Sequence, residues 1–458
     1  MLSKPAVSAA MAVIGYFASW SIYQRNFHIF DIPSQRYSHI IYAFVGISGE
    51  NTVELIDSFA DIGTSDGNWA SYSKDKVQKG NLFHLQQFKQ ENPAVSIGVS
   101  IGGQSHSHSF GQMISCAQSR KQFIDSLVEF LVAFQFDFVD VDFEFPSNGE
   151  QAQNLLLFMQ ELHFSTSKDG MFITMAIPTT AYHLQHFKLE EMQQFVRFFN
   201  VMAYGYGEYW RQTVEFNAPL YAEGICIDAT VEYLVDKRGI SPSKLVLGIP
   251  AYCVAFEGCT EMHEVHKGPF GGFGDGGMLD YKELEKHILN ASKTEINLKN
   301  ATAYTVCSEN ALITHETPET VKEKWEYLHK RGLGGMMVWH IAADSAEKSL
   351  FSAIEVEEAE EEEERVANVM LDQSDVVGGT IDVEEERSDA KETKDLVQEG
   401  KGDVGETKDL VDAIEHPVQK THLVQKTLLV EETHLIQETK DCLPTDQDDT
   451  LPKDQKDK

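Results

Sequence analysis

The sequence is poor in the features that mark several large classes of protein. Its six cysteines include no C-x-x-C pair, and no histidine spacing suits zinc, so neither a disulfide framework nor a metal site is indicated. No run of 18 apolar residues occurs, so we expect no transmembrane helix. Basic residues are scarce, with 38 Lys and Arg against 72 Asp and Glu. The chain therefore lacks the clustered positive charge that binding to nucleic acids or anionic membranes requires.

The negative charge is concentrated at the C-terminal end. Residues 355–458 hold 32 acidic and 12 basic side chains and no aromatic one, whereas the first 354 residues hold 40 and 26. The segment also repeats the sequence E-T-K-D-L-V, at 392–397 and 406–411. Such a composition cannot bury enough apolar surface to offset the entropy lost on ordering. We predict that residues 355–458 form a disordered, acidic, low-complexity tail, which is either a solvated spacer or a segment that binds an unknown partner.

Eight short apolar segments alternate with stretches long enough for helices. One of these, 318–331, ends in Lys330 and Arg331 followed by Gly332, which is a C-terminal helix signal. Strands that are covered on both faces have this continuous apolar pattern, so the alternation predicts a (β/α)8 TIM barrel over residues 10–354, with a doubly wound sheet as the runner-up. The long interval 252–333 predicts a small insertion between strands seven and eight, with a helix at 279–289. It holds a G-x-G-x-x-G match at 272–277 that follows no strand, which favours a glycine-rich loop over a dinucleotide site. The predicted strands are 13–18, 39–45, 94–101, 136–145, 172–178, 199–206, 244–251 and 334–341.

The N-terminus carries only a weak targeting signal. Lys4 followed by residues 5–14 resembles a signal peptide, but residues 13–17 match the first barrel strand, so cleavage beyond them would cut into the fold. Asn290 and Asn300 begin N-A-S and N-A-T sequences, which matter only if the chain enters a secretory pathway. These signals are compatible with either a secreted or an intracellular location.

The most informative segment is F-D-F-V-D-V-D-F-E-F-P at 136–146. Side chains alternate along a strand, so Asp140, Asp142 and Glu144 share one face, which a barrel would turn inward, each within ~7 Å of its neighbour. Like charges and burial raise carboxyl pKa values, so we expect at least one proton to be held near neutral pH. Glu144 is nearest the C-terminal end of the strand, where barrel enzymes bind substrate, so it is the candidate proton donor. A water-exposed acidic face would not suit a central strand.

This strand closely resembles the D-x-x-D-x-D-x-E signature of the family 18 glycoside hydrolases, the chitinases and their relatives. Six further segments occur in the family's order, and the resemblance covers about residues 10 to 350. It implies a retaining hydrolase of β-1,4-linked N-acetylglucosamine polymers that needs no metal or organic cofactor, with chitin or a chito-oligosaccharide as its partner. The segments are G-Y-F-A-S-W at 15–20, H-I-I-Y-A-F at 39–44, S-I-G-G at 100–103, M-A-Y at 202–204, K-L-V-L-G-I-P-A-Y at 244–252 and G-G-M-M-V-W at 334–339.

The resemblance implies a mechanism in which the substrate supplies its own nucleophile. Glu144 would protonate the glycosidic oxygen while the 2-acetamido carbonyl oxygen attacks the anomeric carbon and forms an oxazolinium ion. Asp142 would balance the positive charge, Asp140 would exchange a proton with Asp142, and Tyr204 would donate to the acetamido oxygen. Trp339 would form the hydrophobic floor beneath the sugar. The other candidate substrate-binding residues are Tyr16, Phe44, Ser100, Gly102, Gly103, Met202 and Trp210.

The sequence departs from the family pattern at Gly205, where Asp is common and helps to hold the acetamido group. Glu208, three residues on, is a candidate replacement. The missing acid weakly favours a catalytically weak chitin-binding lectin, whereas the presence of Glu144 favours an enzyme. The closest enzymatic alternative is an endo-β-N-acetylglucosaminidase that acts on N-glycans by related chemistry. The family habit suggests an extracellular location, although the leader is unconvincing.

Two smaller features complete the expectations. Asp137 opens the carboxylate signature, and we expect a structural role for it. The histidines of S-H-S-H-S, His106 and His108, follow the third predicted strand and lie near the expected site, where a solvated loop is favoured over contact with sugar hydroxyls.

Overall fold

A computed structural model describes seven ranges of the chain. They are residues 11–64, 69–71, 79–209, 211–271, 277–288, 291–307 and 311–354. The predicted tail, residues 355–458, lies outside the described residues, as do Trp210, Asn290 and all but the last residue of the glycine-rich segment 272–277.

Eight parallel strands close into a barrel, because the first strand pairs with both the second and the last. The order around the barrel is β1, β2, β4, β5, β6, β7, β8 and β14, and β3 extends β2 in the antiparallel direction. This closure confirms the predicted TIM barrel and excludes the doubly wound sheet. The strands are β1 (Ala12–Ala18), β2 (His39–Ile47), β3 (Val53–Leu55), β4 (Ser96–Gly102), β5 (Phe138–Asp142), β6 (Phe172–Ile177), β7 (Phe198–Val201), β8 (Leu245–Pro250), β9 (Tyr252–Glu257), β10 (Met278–Asp280), β11 (Ala291–Asn297), β12 (Thr302–Cys307), β13 (Ala311–His315) and β14 (Gly335–Trp339).

Two barrel strands end earlier than the apolar pattern predicts. β5 ends at Asp142, so Glu144 lies in the loop beyond it, and β7 ends at Val201. Hydrogen bonding explains the difference for β5, because the Glu144 N–H donates to a serine hydroxyl instead of a neighbouring strand. The residues beyond remain apolar because they pack on the core, as the buried Phe143 does by stacking on Phe110 at 4.9 Å between ring centroids.

The helices surround the barrel, and the prediction for the last of them, 318–331, is confirmed at both ends. Thr317 accepts the Thr320 N–H at the N-terminus, and Gly332 ends the helix in the left-handed region that favours glycine, with φ +65°. The helices are α1 (Ser58–Ile62), α2 (Asn81–Glu91), α3 (Phe110–Met113), α4 (Ala117–Ala133), α5 (Gly149–Thr166), α6 (Ala181–Leu184), α7 (Leu189–Met192), α8 (Ile227–Glu232), α9 (Tyr281–Ile288) and α10 (Pro318–Arg331).

The insertion between β8 and β14 is a separate antiparallel sheet, in the strand order β10-β9-β13-β12-β11, with α9 beside it. It confirms the insertion predicted between the seventh and eighth barrel strands. The helix expected at 279–289 begins later, at Tyr281, because Met278–Asp280 pairs with β9 as a short strand.

The barrel interior is apolar towards its N-terminal end. Phe138, Phe172 and Phe198 surround the buried ring of His39 at centroid distances between 5.8 and 6.0 Å. These rings close the N-terminal end of the interior, so the polar side chains inside the barrel are open to solvent only at the C-terminal end of the strands.

No helix in the described part of the chain is long and apolar enough to cross a membrane. No disulfide joins any two of the five cysteines in the described ranges.

Candidate active site

Asp140 is the innermost carboxylate of the site and is held by four hydrogen bonds. Ser100 donates to Oδ2 at 2.8 Å and Tyr16 at 2.9 Å, while Thr174 donates to Oδ1 at 2.6 Å and Asn200 at 3.1 Å. These donors come from β1, β4, β6 and β7, so only the closed barrel assembles them. Burial raises the pKa of Asp140, and the four hydrogen bonds oppose that rise by stabilising its charge.

Asp142 is the carboxylate that holds a proton most firmly. Its side chain is buried, and Oδ1 has no hydrogen-bond partner among the described residues. Burial raises its pKa well above the ordinary value, and the charges of Glu144 and then Asp140 raise it further. Because Asp140 accepts four hydrogen bonds and Asp142 Oδ1 accepts none from the described residues, the pair favours a neutral Asp142 beside an anionic Asp140.

Glu144 lies at the mouth of the barrel and is positioned by a residue that sequence reasoning missed. Its backbone N–H donates to the hydroxyl of Ser107 at 2.8 Å, and that hydroxyl donates to the Gly103 carbonyl at 2.9 Å. The pKa of Glu144 is raised to about 7, mainly by burial. The Gln104 backbone N–H lowers this pKa, and the charge of Glu208 raises it. A carboxyl group with this pKa is suited to donate a proton near neutral pH.

The S-H-S-H-S segment therefore contributes its central serine to the site. Ser107 is buried, whereas His108 is exposed and His106 is half-buried. No sequence signal marks Ser107, because its role depends on the contact between the loop after β4 and the loop after β5. Asp137, at the other end of β5, accepts the Ile97 N–H at 2.8 Å and pairs with Lys89, a structural arrangement remote from the mouth.

Aromatic rings form one wall of the mouth. Trp339 ends β14 and contacts Tyr16 edge to face at 5.6 Å and Phe44 face to face at 5.6 Å between ring centroids. Trp20, which the sequence analysis did not select, stacks on Phe44 at 6.3 Å and is 39% exposed. Tyr16 and Phe44 are themselves buried, so Trp20 and the half-buried Trp339 are the rings of this wall that a ligand can reach.

The glycines of S-I-G-G allow two close approaches. A Cβ at Gly102 would lie 2.3 Å from the Asp142 carbonyl oxygen, and a Cβ at Gly103 would lie 2.7 Å from the Phe44 ring. Both residues have positive φ, which glycine adopts without strain. These glycines shape the site by bringing β4 close to β5 and to the aromatic wall. Ser100 is fully buried, so its hydroxyl serves Asp140 and does not face the cleft.

Tyr204 and Met202 follow β7 and pack in the same interior cluster as Trp339. Tyr204 meets Tyr252 edge to face at 6.0 Å between ring centroids. Gly248 on β8 leaves space for the Tyr204 ring, because a Cβ there would lie 2.8 Å from it. Burial raises the pKa of Tyr204 well above its ordinary value, so its hydroxyl is a proton-bearing hydrogen-bond donor at every relevant pH.

The structure thus brings together all but one of the residues selected from the sequence. The charges of Asp140, Asp142 and Glu144 all act on the Tyr204 hydroxyl, and Tyr204 packs in one cluster with Trp339. Trp210 lies outside the described residues. Within the described ranges, no group of three or more His, Cys, Asp or Glu side chains is arranged to hold a metal ion.

Comparisons with known proteins identify relatives of this barrel. Endochitinase 1 of Metarhizium robertsii is 33% identical over 352 residues, which cover 72% of this chain and 80% of that protein. Among solved structures, catalytic domain 2 of the Ostrinia furnacalis Group II chitinase has a TM-score of 0.67 at 20% identity and covers 75% of this chain and 95% of that one. A human pseudo-chitinase with retained chitooligosaccharide binding has a TM-score of 0.63 at 23% identity, with 73% and 93% covered.

The family model described as glycosyl hydrolases family 18 matches residues 12–344, which include every barrel strand and the whole insertion. The matched range also contains the carboxylates of β5, the loop that carries Ser107 and the aromatic wall around Trp339. The chain belongs to the glycosyl hydrolases of family 18.

Proposed function

We propose that this protein is a chitinase, a retaining hydrolase that cleaves β-1,4-linked N-acetylglucosamine polymers with help from the substrate's own acetamido group. The observation that carries the proposal is the set of carboxylates Asp140, Asp142 and Glu144. Their charges all act on Tyr204, and Tyr16 joins Asp140 to Trp339 by a hydrogen bond to the one and a ring contact with the other. The relatives named endochitinase support the same substrate class.

In the proposed mechanism, each carboxyl group has one task. Glu144, with its pKa raised to about 7, donates its proton to the glycosidic oxygen and then accepts a proton from the attacking water. Asp142 accepts the acetamido N–H, and it becomes anionic by passing its proton towards Asp140 as positive charge develops on the oxazolinium ring. The Tyr204 hydroxyl donates to the acetamido oxygen, because its proton is firmly held.

The aromatic wall supplies the sugar-binding surface of the proposal. A flat ring suits the axial C–H face of a pyranose, and Trp339 presents such a ring at the end of β14. Trp20 extends the wall towards an open cleft that is lined also by Ile56, Asp57 and Phe59. We infer that neighbouring sugars of the polymer stack on Trp339 and Trp20.

Glu144→Gln tests the function directly. The substitution keeps the side-chain shape but removes the transferable proton, so we expect the rate of hydrolysis of a chromogenic chitotrioside to fall at least ~10²-fold. The matched control is Glu150→Gln, an exposed position six residues away, which leaves the rate at the wild-type value. Equal rates for Glu144→Gln and the wild type would rule out the mechanism.

Two other candidate functions differ from the proposed one in which substrates the wild-type protein cleaves. A chitin-binding lectin retains chito-oligosaccharide binding but shows no turnover in the wild type, and the human pseudo-chitinase relative makes this the second candidate. An endo-β-N-acetylglucosaminidase releases glycans from a glycoprotein in preference to cleaving chito-oligosaccharides. Product analysis with defined chito-oligosaccharides and a high-mannose glycoprotein, side by side, separates all three functions.

A further inference from the structure

One acidic side chain of the mouth has no task in the mechanism above. Glu208 belongs to the segment after β7 that also carries Met202 and Tyr204, and it is half-buried. The effects that act on its carboxyl group are burial, which raises its pKa, and the nearby Tyr252 hydroxyl, which lowers it. No cation among the described residues contributes to that balance. A half-buried carboxylate without a cation is costly, and it is a common sign of a binding role.

The backbone around Glu208 is firmly held. The Gly205 N–H donates to Asn217 Oδ1 at 2.9 Å, and the Arg211 guanidinium donates to the Tyr206 carbonyl at 2.7 Å. A Cβ at Gly207 would lie 2.3 Å from the Glu215 carbonyl oxygen, so the segment also lies directly against the 215–216 backbone. The position of Glu208 is therefore determined by packing and does not depend on a flexible surface loop.

The Glu208 carboxylate lies close to Gly205 and to titratable groups of the mouth. Its Oε1 lies 3.4 Å from the point that a Cβ at Gly205 would occupy, so the carboxylate is in contact range of position 205. The titratable groups that face it are Glu144, Tyr252 and Tyr209. Of these, Glu144 is the proposed proton donor.

We propose that Glu208 is a further substrate-binding residue of this site, whose carboxylate accepts a hydrogen bond from a hydroxyl or amide N–H of the bound sugar. The inference rests on the proposed function, because it assumes that a sugar occupies the mouth. Sugar hydroxyls and acetamido groups are hydrogen-bond donors, and a carboxylate that lacks a cation has free acceptor positions for them.

The effect on Glu144 gives the inference a specific signature. The groups that face Glu144 are Asp142 on β5, Tyr204 after β7, the Gln104 backbone N–H after β4 and Glu208. Burial is the largest cause of its raised pKa, and the charge of Glu208 adds to it. Removing that charge lowers the pKa of Glu144, so Glu144 loses its proton at a lower pH and activity declines at a lower pH.

The test compares Glu208→Gln with the wild-type full chain on a chromogenic chitotrioside between pH 4 and 9. We expect kcat/KM at the optimum to fall roughly tenfold, mainly through a higher KM, because a charge-assisted hydrogen bond is lost. We also expect the alkaline limb of the kcat/KM profile to move to lower pH. The matched control, Glu223→Gln at an exposed position, changes neither quantity.

A second variant keeps the test decisive if Glu208→Gln folds poorly. Gly205→Asn tolerates the positive φ at this position and places a neutral amide donor beside the Glu208 carboxylate, where it competes with the sugar. We expect KM to rise while Glu208 itself is intact. An unchanged KM in both variants, with the wild-type alkaline limb, overturns the inference. The proposed function fails separately, and only if Glu144→Gln retains the wild-type rate.

Discussion

At the scale of single residues, neighbouring carboxyl groups differ because their surroundings differ. Asp140 receives four hydrogen bonds, whereas Asp142 Oδ1 receives none from the described residues, although the two side chains share one face of β5. The sequence predicts their common face and their mutual repulsion. It does not reveal which of them is stabilised as an anion, because the donors come from four other strands.

The pH dependence of activity follows from the pKa of Glu144. A general acid must carry its proton, and Glu144 carries it below a pKa of about 7 and loses it above. We expect kcat/KM to fall about tenfold per pH unit above that value. A profile of kcat/KM against pH in overlapping buffers measures the alkaline limb. Circular dichroism at each pH checks that the protein stays folded. A limb near the ordinary value of glutamate would contradict the assignment.

Ser107→Ala removes the hydroxyl that accepts the Glu144 N–H. A buried N–H without a partner costs about 1–3 kcal/mol, and the loop that holds the proton donor loses its anchor. We expect kcat to fall by roughly tenfold or more with little change in KM. Steady-state kinetics and a denaturation curve measure both effects.

The control for this variant is Ser105→Ala, an exposed serine in the same segment. It should leave kcat and stability unchanged. If Ser107→Ala had wild-type kinetics, the anchoring role of the hydroxyl would be disproved even though the hydrogen bond exists.

At the scale of secondary-structure elements, α10 shows how local signals and tertiary burial combine. The proline, the Thr317 cap and Gly332 define its ends within the sequence. Its inner face also carries Lys324, which is fully buried and pairs with the buried Glu316 just before the helix. Nothing in the helical pattern marks this pair as buried, because Lys and Glu normally lie in water.

Lys324→Met tests the importance of this pair for the fold. The variant leaves Glu316 buried without a cation, so we expect the free energy of unfolding to fall by about 3–5 kcal/mol. The matched control is Lys121→Met, which breaks the exposed pair with Asp125 and should cost no more than about 0.5 kcal/mol. Urea denaturation measures both.

The double variant Lys324→Met with Glu316→Gln provides the second half of this test. It should recover part of the lost stability, because the uncompensated charge is gone. If the double variant lost as much stability as the two single variants together, the two charges would not be coupled and the pair would act through packing alone.

At the scale of the whole molecule, the net charge of −34 divides unevenly along the chain. The family match and the closed barrel lie within residues 12–344, whereas most of the excess acidic residues lie in 355–458. We propose that the chain comprises a catalytic barrel, residues 10–354, and an acidic tail.

Deletion of residues 355–458 tests this division. We expect the melting temperature of the barrel and its activity on the chromogenic chitotrioside to match those of the full chain, because the tail has no aromatic residue with which to join a core. Scanning calorimetry of both proteins at the same ionic strength measures the difference. A fall of more than about 5 °C would show that the tail is integral to the fold.

The sequence alone predicted the architecture because its signals are local and repeated. Eight apolar strands alternating with helices favour a barrel over a doubly wound sheet, and period-two alternation predicts which β5 side chains face inward. The insertion was predicted from the length of one interval, and the C-terminal end of α10 from Gly332 and the two basic residues before it. Where β5 and β7 stop was predicted incorrectly, because apolar side chains continue past the last ladder hydrogen bond.

Only the tertiary structure decided what surrounds each of these residues. Ser107 and Trp20 join the mouth from loops after two different strands, and no spacing within the chain connects them. The same closure brings four donors to Asp140 and leaves Asp142 with an unpartnered oxygen. A protonation state depends on distances across the barrel, so the sequence determined which acids are present and the closed barrel determined which of them holds the proton.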